Sequence, residues 1–182
     1  MDQNKVADFL FEVGTLRNMR RMQSQLLPEA TDTIASHSFE VAIIGMILAK
    51  EENAGENKVL KMCLFHDLAE ARVGDANFVH KFYVKADEEK ALRDQVSDTP
   101  IAEDVMEIIK EYEAHETKEA IIAKDADLLD QILVQSATIK TEADKKLWNE
   151  NSAKGLQSKT AKELARTLSE TNPLSWVYKM AE

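Results

Sequence analysis

Apolar residues recur at helical spacing along most of the chain. Val6, Phe9, Leu10, Val13 and Leu16 share one stripe and predict a first helix over roughly residues 3–20. Arg17, Arg20 and Arg21 close it, as cations suit a helix C-terminus. Residues 22–32 read as a loop, after which Asp32 or Thr33 can cap a second helix running to about Asn53. Its middle, Val41 to Ala49, is apolar on nearly all sides, the pattern of a helix at the centre of a bundle. A third helix over 57–72 begins with Val59, Leu60, Met62, Cys63, Leu64 and Phe65. Residues 86–97 predict an exposed charged helix, with Asp87, Glu88 and Glu89 on a solvated face. Thr99 and Pro100 open the next, which turns Ile101, Val105, Ile108, Ile109 and Tyr112 inward. A helix from about Thr117 to Lys140 places Ile121, Leu128, Ile132 and Ile139 inward. Thr160 and Glu163 form a capping box for a helix through Ser169, and Pro173 ends it. Trp176, Val177 and Met180 then make an apolar tail expected to dock on the body or on a second subunit, the latter giving a homodimer.

Composition sharpens this picture. Only 5 Gly and 3 Pro occur in 182 residues, too few for the turns of an all-β fold. The expectation is an all-α, single-domain helical bundle over 1–182, with its core in roughly 6–140 and a helical extension over 141–182. A net charge of −10 disfavours long nucleic acid or an anionic membrane, which need a dense basic face. A small phosphate can still be held by one or two local cations. Cys63, the single cysteine, lies in an apolar run, so neither an internal disulfide nor a CxxC zinc site can form. The longest apolar run falls far below the ~20 residues that span a bilayer, and no basic leader precedes an apolar segment. The expected location is the cytoplasm.

The third helix changes abruptly from oil to ionisable groups. His66 and Asp67 end its apolar run, Glu70 follows one turn on, Gly74 breaks the helix and Asp75 sits on the exit. Buried imidazoles and carboxylates are costly unless paired or bound to a metal. A solvated helix end explains an isolated His-Asp pair, so matching ligands elsewhere decide the matter. His37 and Asp127, on two other helices, supply them. Two imidazoles and two carboxylates suit one divalent transition-metal ion, Mn²⁺, Fe²⁺, Co²⁺, Ni²⁺ or Zn²⁺, better than Mg²⁺ or Ca²⁺. Four protein ligands on a six-coordinate ion leave room for water and one substrate oxygen, and such an ion generates a nucleophile near neutral pH.

Four segments carry a resemblance: Phe11-Glu-Val-Gly-Thr-Leu16, Ala35-Ser-His-Ser38, His66-Asp-Leu-Ala-Glu-Ala-Arg-Val-Gly-Asp75 and Lys124-Asp-Ala-Asp127. In this order and spacing the chain resembles the HD-domain metal-dependent phosphohydrolases, and among them the YfbR-like 5′-deoxynucleotidases. The resemblance covers most of residues 6–135. It implies His37, His66, Asp67 and Asp127 as metal ligands. It implies Glu70 as the acid/base carboxylate, Asp75 as the carboxylate near the leaving 5′-oxygen, and Arg21 and Lys81 as phosphate contacts. The implied activity is release of phosphate from (deoxy)nucleoside 5′-monophosphates by metal-bound hydroxide, with a small nucleotide as partner. Met22, Gln23 and Ser24 stand where the deoxynucleotidases carry a Trp after the arginine, so deoxyribose is not singled out over ribose. The alternatives are hydrolysis of a nucleoside triphosphate, alarmone or cyclic nucleotide, and metal or nucleotide binding without catalysis. His80 and His115 read as solvated side chains rather than second-metal ligands. Asp130, one turn past Asp127, is either an orienting group or part of an exposed face. Arg72 can pair with Glu70 or Asp75.

Overall fold

A computed structural model describes residues 2–27 and 29–180; Pro28, inside the expected loop, and the last two positions of the expected domain lie outside the described residues. The described chain is all helix, a single helical domain, with one isolated antiparallel bridge between Arg20 and Thr33. In chain order the α-helices are α1 (Gln3–Val13), α2 (Met22–Leu26), α3 (Ile34–Glu51), α4 (Glu56–Phe65), α5 (Glu70–Val73), α6 (Glu88–Val96), α7 (Ala102–Ala114), α8 (Lys118–Thr138), α9 (Glu142–Ala153), α10 (Lys159–Glu170) and α11 (Ser175–Met180). Short 3-10 turns at Gly14–Asn18 and His80–Phe82 interrupt the connections.

The centre of the fold is the packing of α3, α4 and α8 on one another. Val41, Leu48, Val59, Met62, Ala126, Leu129 and Ile132 are buried between them. Gly45 lets α3 approach α4 closely, since a Cβ there would stand 2.6 Å from Cys63 Sγ. A second cluster under α6 and α7 joins Leu16, Ile34, Leu68, Leu92, Val96 and Val105. Thr33 caps α3 in a reciprocal box with Ser36, and Thr117 caps α8.

Several expected boundaries shift, each for a local reason. The first helix stops at Val13 and tightens into a 3-10 turn, so Arg21 does not close it. Arg21 stands in extended backbone ahead of α2, and its amide donates to the Asp32 carbonyl at 3.2 Å. The third helix is two pieces, because the chain turns over 66–69 before α5; Gly74, at φ +76°, ends the second piece in a region that favours glycine. The helix expected from Thr99 starts at Ala102, as the Thr99 hydroxyl turns back to the Val96 carbonyl. Ser158 rather than Thr160 caps α10. Of the expected inward face of α8, Ile132 is buried and Ile121, Leu128 and Ile139 are half-buried, while Ile122 and Leu129 are buried together with Asp125, Asp127 and Asp130. α3 is not enclosed on all sides, since Phe39, Ile43, Met46 and Ile47 remain exposed. The apolar tail, now α11, does not dock on the body: Trp176 is 63% and Met180 80% exposed.

Candidate metal centre

Three features of the fold converge on one point. The pairing of 19–21 with 32–34 carries Arg21 to the start of α3, where His37 faces inward from the second turn. The end of α4 presents His66, the turn after it Asp67, and the start of α5 Glu70. The buried face of α8 presents Asp127. One ligand atom each of His37, His66 and Asp127 lies within 4.8 Å of the others, a group that could hold a metal ion.

Hydrogen bonding fixes what these atoms offer. His37 Nδ1 is 2.6 Å from Asp130 Oδ2, and His66 Nδ1 is 3.0 Å from the Cys63 carbonyl oxygen. A carbonyl can only accept, as can an ionised carboxylate, so each imidazole donates from Nδ1 and directs an Nε2 lone pair inward. Those two Nε2 atoms are 3.2 Å apart. Asp67 Oδ2 lies 3.5 Å from His37 Nε2 and 3.3 Å from His66 Nε2, and Asp127 Oδ1 lies 3.4 Å from His37 Nε2. Four electron-rich atoms facing one another repel unless something positive stands among them. In the chain alone that positive group is a proton. Burial and the Arg21 guanidinium act against it on His37, but Asp127 and Asp130 prevail and raise the His37 pKa to about 10. His66 is shifted downward, by burial first and by its charged neighbours His37 and Arg21 as well. A divalent cation would satisfy all four atoms at once, and this mixed nitrogen and oxygen set fits one.

Around this point the charges are arranged in pairs. Arg21, buried, donates from Nη1 to Asp67 Oδ2 at 3.0 Å and to Asp75 Oδ2 at 2.7 Å, and stands 3.9 Å from Glu70 and 3.8 Å from Asp127. The Met22 amide also donates to Asp75 Oδ2, at 2.7 Å. Asp75 therefore clamps the arginine and the start of α2. Glu70 Oε2 is buried without a hydrogen-bond partner among the described residues. Burial, with Asp67 and Asp75 nearby, pushes its carboxyl up to about 9. Lys124 donates to Asp127 Oδ2 at 2.8 Å. A cleft of about 650 Å³ between α6 and α7 reaches His66, lined by Ala69, Leu92, Met106 and Ile109 together with Glu88 and Glu113.

The structure thus brings His37, His66, Asp67, Glu70, Asp75, Arg21 and Asp127 together. Lys81 is left aside: it is exposed on the 3-10 turn and, among the described residues, pairs with no carboxylate of the centre. Asp130 does not belong to an exposed face; it is 1% exposed and bonded to His37. Its i+3 spacing from Asp127 was a visible signal for this. His80 is exposed, but His115 is not simply solvated, since its Nε2 is buried and its ring lies tilted against Tyr112, with the ring centres 5.4 Å apart. Arg72 pairs with neither expected partner and holds Glu12 instead, at 2.9 Å. Asp125 is buried and accepts the Gln157 and Ser158 amides, each at 2.8 Å, a structural anchor for the turn into α10.

Known proteins share this architecture. The chain is 31% identical over 118 residues, 58% of its length and 62% of the relative's, to the 5′-deoxynucleotidase HDDC2 of Dictyostelium discoideum. It spans less than two thirds of the length of such curated relatives. The crystal structure of a predicted metal-dependent phosphohydrolase from Magnetospirillum magnetotacticum superposes with a TM-score of 0.66 at 26% identity, covering 91% of this chain and 90% of that one. A cyanophage HD phosphohydrolase, DatZ, bound to dA and one catalytic Zn²⁺ ion, shares the fold at a TM-score of 0.59 and 20% identity, over 88% of this chain and 96% of that one. The family model described as HD domain matches residues 13–169. That match runs from the end of α1 into the last turn of α10 and takes in every residue of the centre, so the chain belongs to the HD-domain family.

Proposed function

We propose that this chain is a divalent-cation-dependent 5′-nucleotidase that releases phosphate from nucleoside or deoxynucleoside 5′-monophosphates. The observation that carries the reading is the pair of inward-facing Nε2 atoms 3.2 Å apart, with Asp67 and Asp127 beside them and Arg21 and Glu70 in the same pocket. His37, His66, Asp67 and Asp127 would hold the cation, which would supply charge neutralisation to a phosphate and lower the pKa of water. Mn²⁺, Co²⁺, Fe²⁺, Ni²⁺ and Zn²⁺ all suit this donor set, and the Zn²⁺ of the cyanophage relative is consistent with it. Arg21 brings a fixed positive charge to the ester, and Asp75 keeps that guanidinium oriented. Glu70, protonated at neutral pH, gives its proton to the departing 5′-oxygen, which needs one to leave as an alcohol. The name of the Dictyostelium relative and the dA in the cyanophage protein support a nucleoside leaving group.

A phosphate-release assay with Mn²⁺ or Co²⁺ and a panel of ribo- and deoxyribonucleoside monophosphates tests this. Release of inorganic phosphate with a free nucleoside as co-product is expected. Absence of phosphate from every monophosphate, with metal shown to be bound, would refute it; pyrophosphate, triphosphate or an opened cyclic ester as the product would move the chain to another HD chemistry. The same proposal includes a homodimer, supported by the exposed apolar residues of α3 and α11, which a light-scattering mass near one chain would overturn. It includes a cytoplasmic location, in keeping with a free buried thiol and a nucleotide substrate, checked by cell fractionation. Among the described residues no helix is long and apolar enough to cross a membrane.

A further inference from the structure

One cation beside the centre has no part in the reading above. Lys124 lies on α8 one turn before Asp127, and its ammonium touches Asp127 Oδ2 at 2.8 Å while Asp127 Oδ1 faces His37 Nε2 at 3.4 Å. The ammonium is therefore one carboxylate's width from the oxygen turned toward the proposed ion. Its exposure sets it apart: 36% of the Lys124 side chain is accessible, against 5% for Arg21 and 7% for Asp127. Of the two cations that touch the carboxylates of the centre, it is the more exposed.

Charge balance gives the ammonium a task. The carboxylates of Asp67, Asp75 and Asp127 match a dication plus the Arg21 guanidinium, which leaves no surplus positive charge for a phosphate dianion. We propose that Lys124 is a substrate-binding residue of this centre, its ammonium donating to a non-bridging phosphate oxygen of the bound monoester while remaining beside Asp127. The inference rests on the monophosphatase reading and adds a residue to it.

A rival role is purely structural: an i, i+3 pair that holds Asp127 in place for the metal. The two roles separate when metal and phosphate binding are measured independently. In Lys124→Met, Mn²⁺ affinity by calorimetry is expected to stay within about threefold, or to tighten, because a competing cation is gone. Affinity of the Mn²⁺-loaded protein for inorganic phosphate, and KM for a nucleoside monophosphate, are expected to worsen roughly ten- to a hundredfold, the loss of one charge-assisted hydrogen bond. Lys124→Arg should recover most of both, and Lys81→Met should change neither as much. Mn²⁺ affinity that falls in step with phosphate affinity overturns the proposal, since Lys124 then acts through Asp127. Unchanged phosphate affinity and KM in Lys124→Met overturn it too, while leaving the monophosphatase reading intact. A wild-type protein that binds Mn²⁺ yet neither binds phosphate nor releases it from any monoester overturns both.

Discussion

Replacing Asp130 isolates the device that aims His37. Its carboxylate accepts the Nδ1 proton at 2.6 Å, from a position 1% exposed, and so holds the imidazole with Nε2 inward. Asp130 also faces Glu40, whose carboxyl is raised to about 7 by burial first and by Asp130 next. In Asp130→Ala the imidazole loses its fixed tautomer, its orientation and the charge that makes it a better donor. Losing such an orienting carboxylate costs about 10- to 100-fold in metal affinity, or about 1.4–2.7 kcal/mol. Asp130→Asn keeps an acceptor for Nδ1 and should lose less, with its amide turned toward Glu40. Calorimetric titration with Mn²⁺ at fixed pH reads the difference directly. Wild-type affinity in Asp130→Ala would refute the account of His37, because orientation would then come from packing alone.

Three further outcomes follow from the same geometry. His37 is raised from 6.5 to about 10 and Glu70 from 4.5 to about 9, so between about pH 6.5 and 9 the folded chain holds both protons and the unfolded chain neither. Stability of the metal-free protein should therefore fall as pH rises through that window, and the gain in Tm from Mn²⁺, which replaces the His37 proton, should grow; an increment constant with pH would sink this. Asp67→Ala should lose both metal and turnover, whereas Glu70→Ala should bind Mn²⁺ normally and turn over at least about 100-fold more slowly, as expected for a missing general acid; normal turnover in Glu70→Ala removes its assigned role. Asp125→Ala strands the Gln157 and Ser158 amides and should cost about 2–4 kcal/mol in urea unfolding, with metal affinity unchanged.

The helices that read clearly in the sequence are those held by apolar stripes. Val41, Leu48, Val59 and Met62 mark α3 and α4 because oil at helical spacing has one explanation. α9 carries no such stripe. Its buried residues are Asn149 and Ser152, which join α8 and α10 through hydrogen bonds to Ser136, Ser169 and Gln135. Polar packing of that kind leaves no periodic trace. The face of α8 is only partly legible for the same reason: Ile132 is buried as expected, but Asp125 and Asp130 are buried as well, where charge ordinarily faces outward.

The centre was legible in its members and illegible in its electrostatics. His37, His66-Asp67 and Asp127 stand out because two imidazoles and two carboxylates at helix ends or on apolar faces need a common partner. Arg21 looked like a helix-end cation, since nothing local says that the chain turns after Asn18 and pairs with 32–34; that turn converts a surface charge into a buried one. The consequence is chemical. A guanidinium held on Asp67 and Asp75 is fixed before any substrate arrives, so under the proposed function little reorganisation would be needed when phosphate charge develops against it. Burial, and after it the same carboxylates that fix the arginine, raise Glu70, which under the proposed function makes it a proton donor. Positioning the base-like end of the pocket as an acid and its cation as a rigid clamp are thus one arrangement, and Asp75, which touches Arg21 at 2.7 Å, ties the two together.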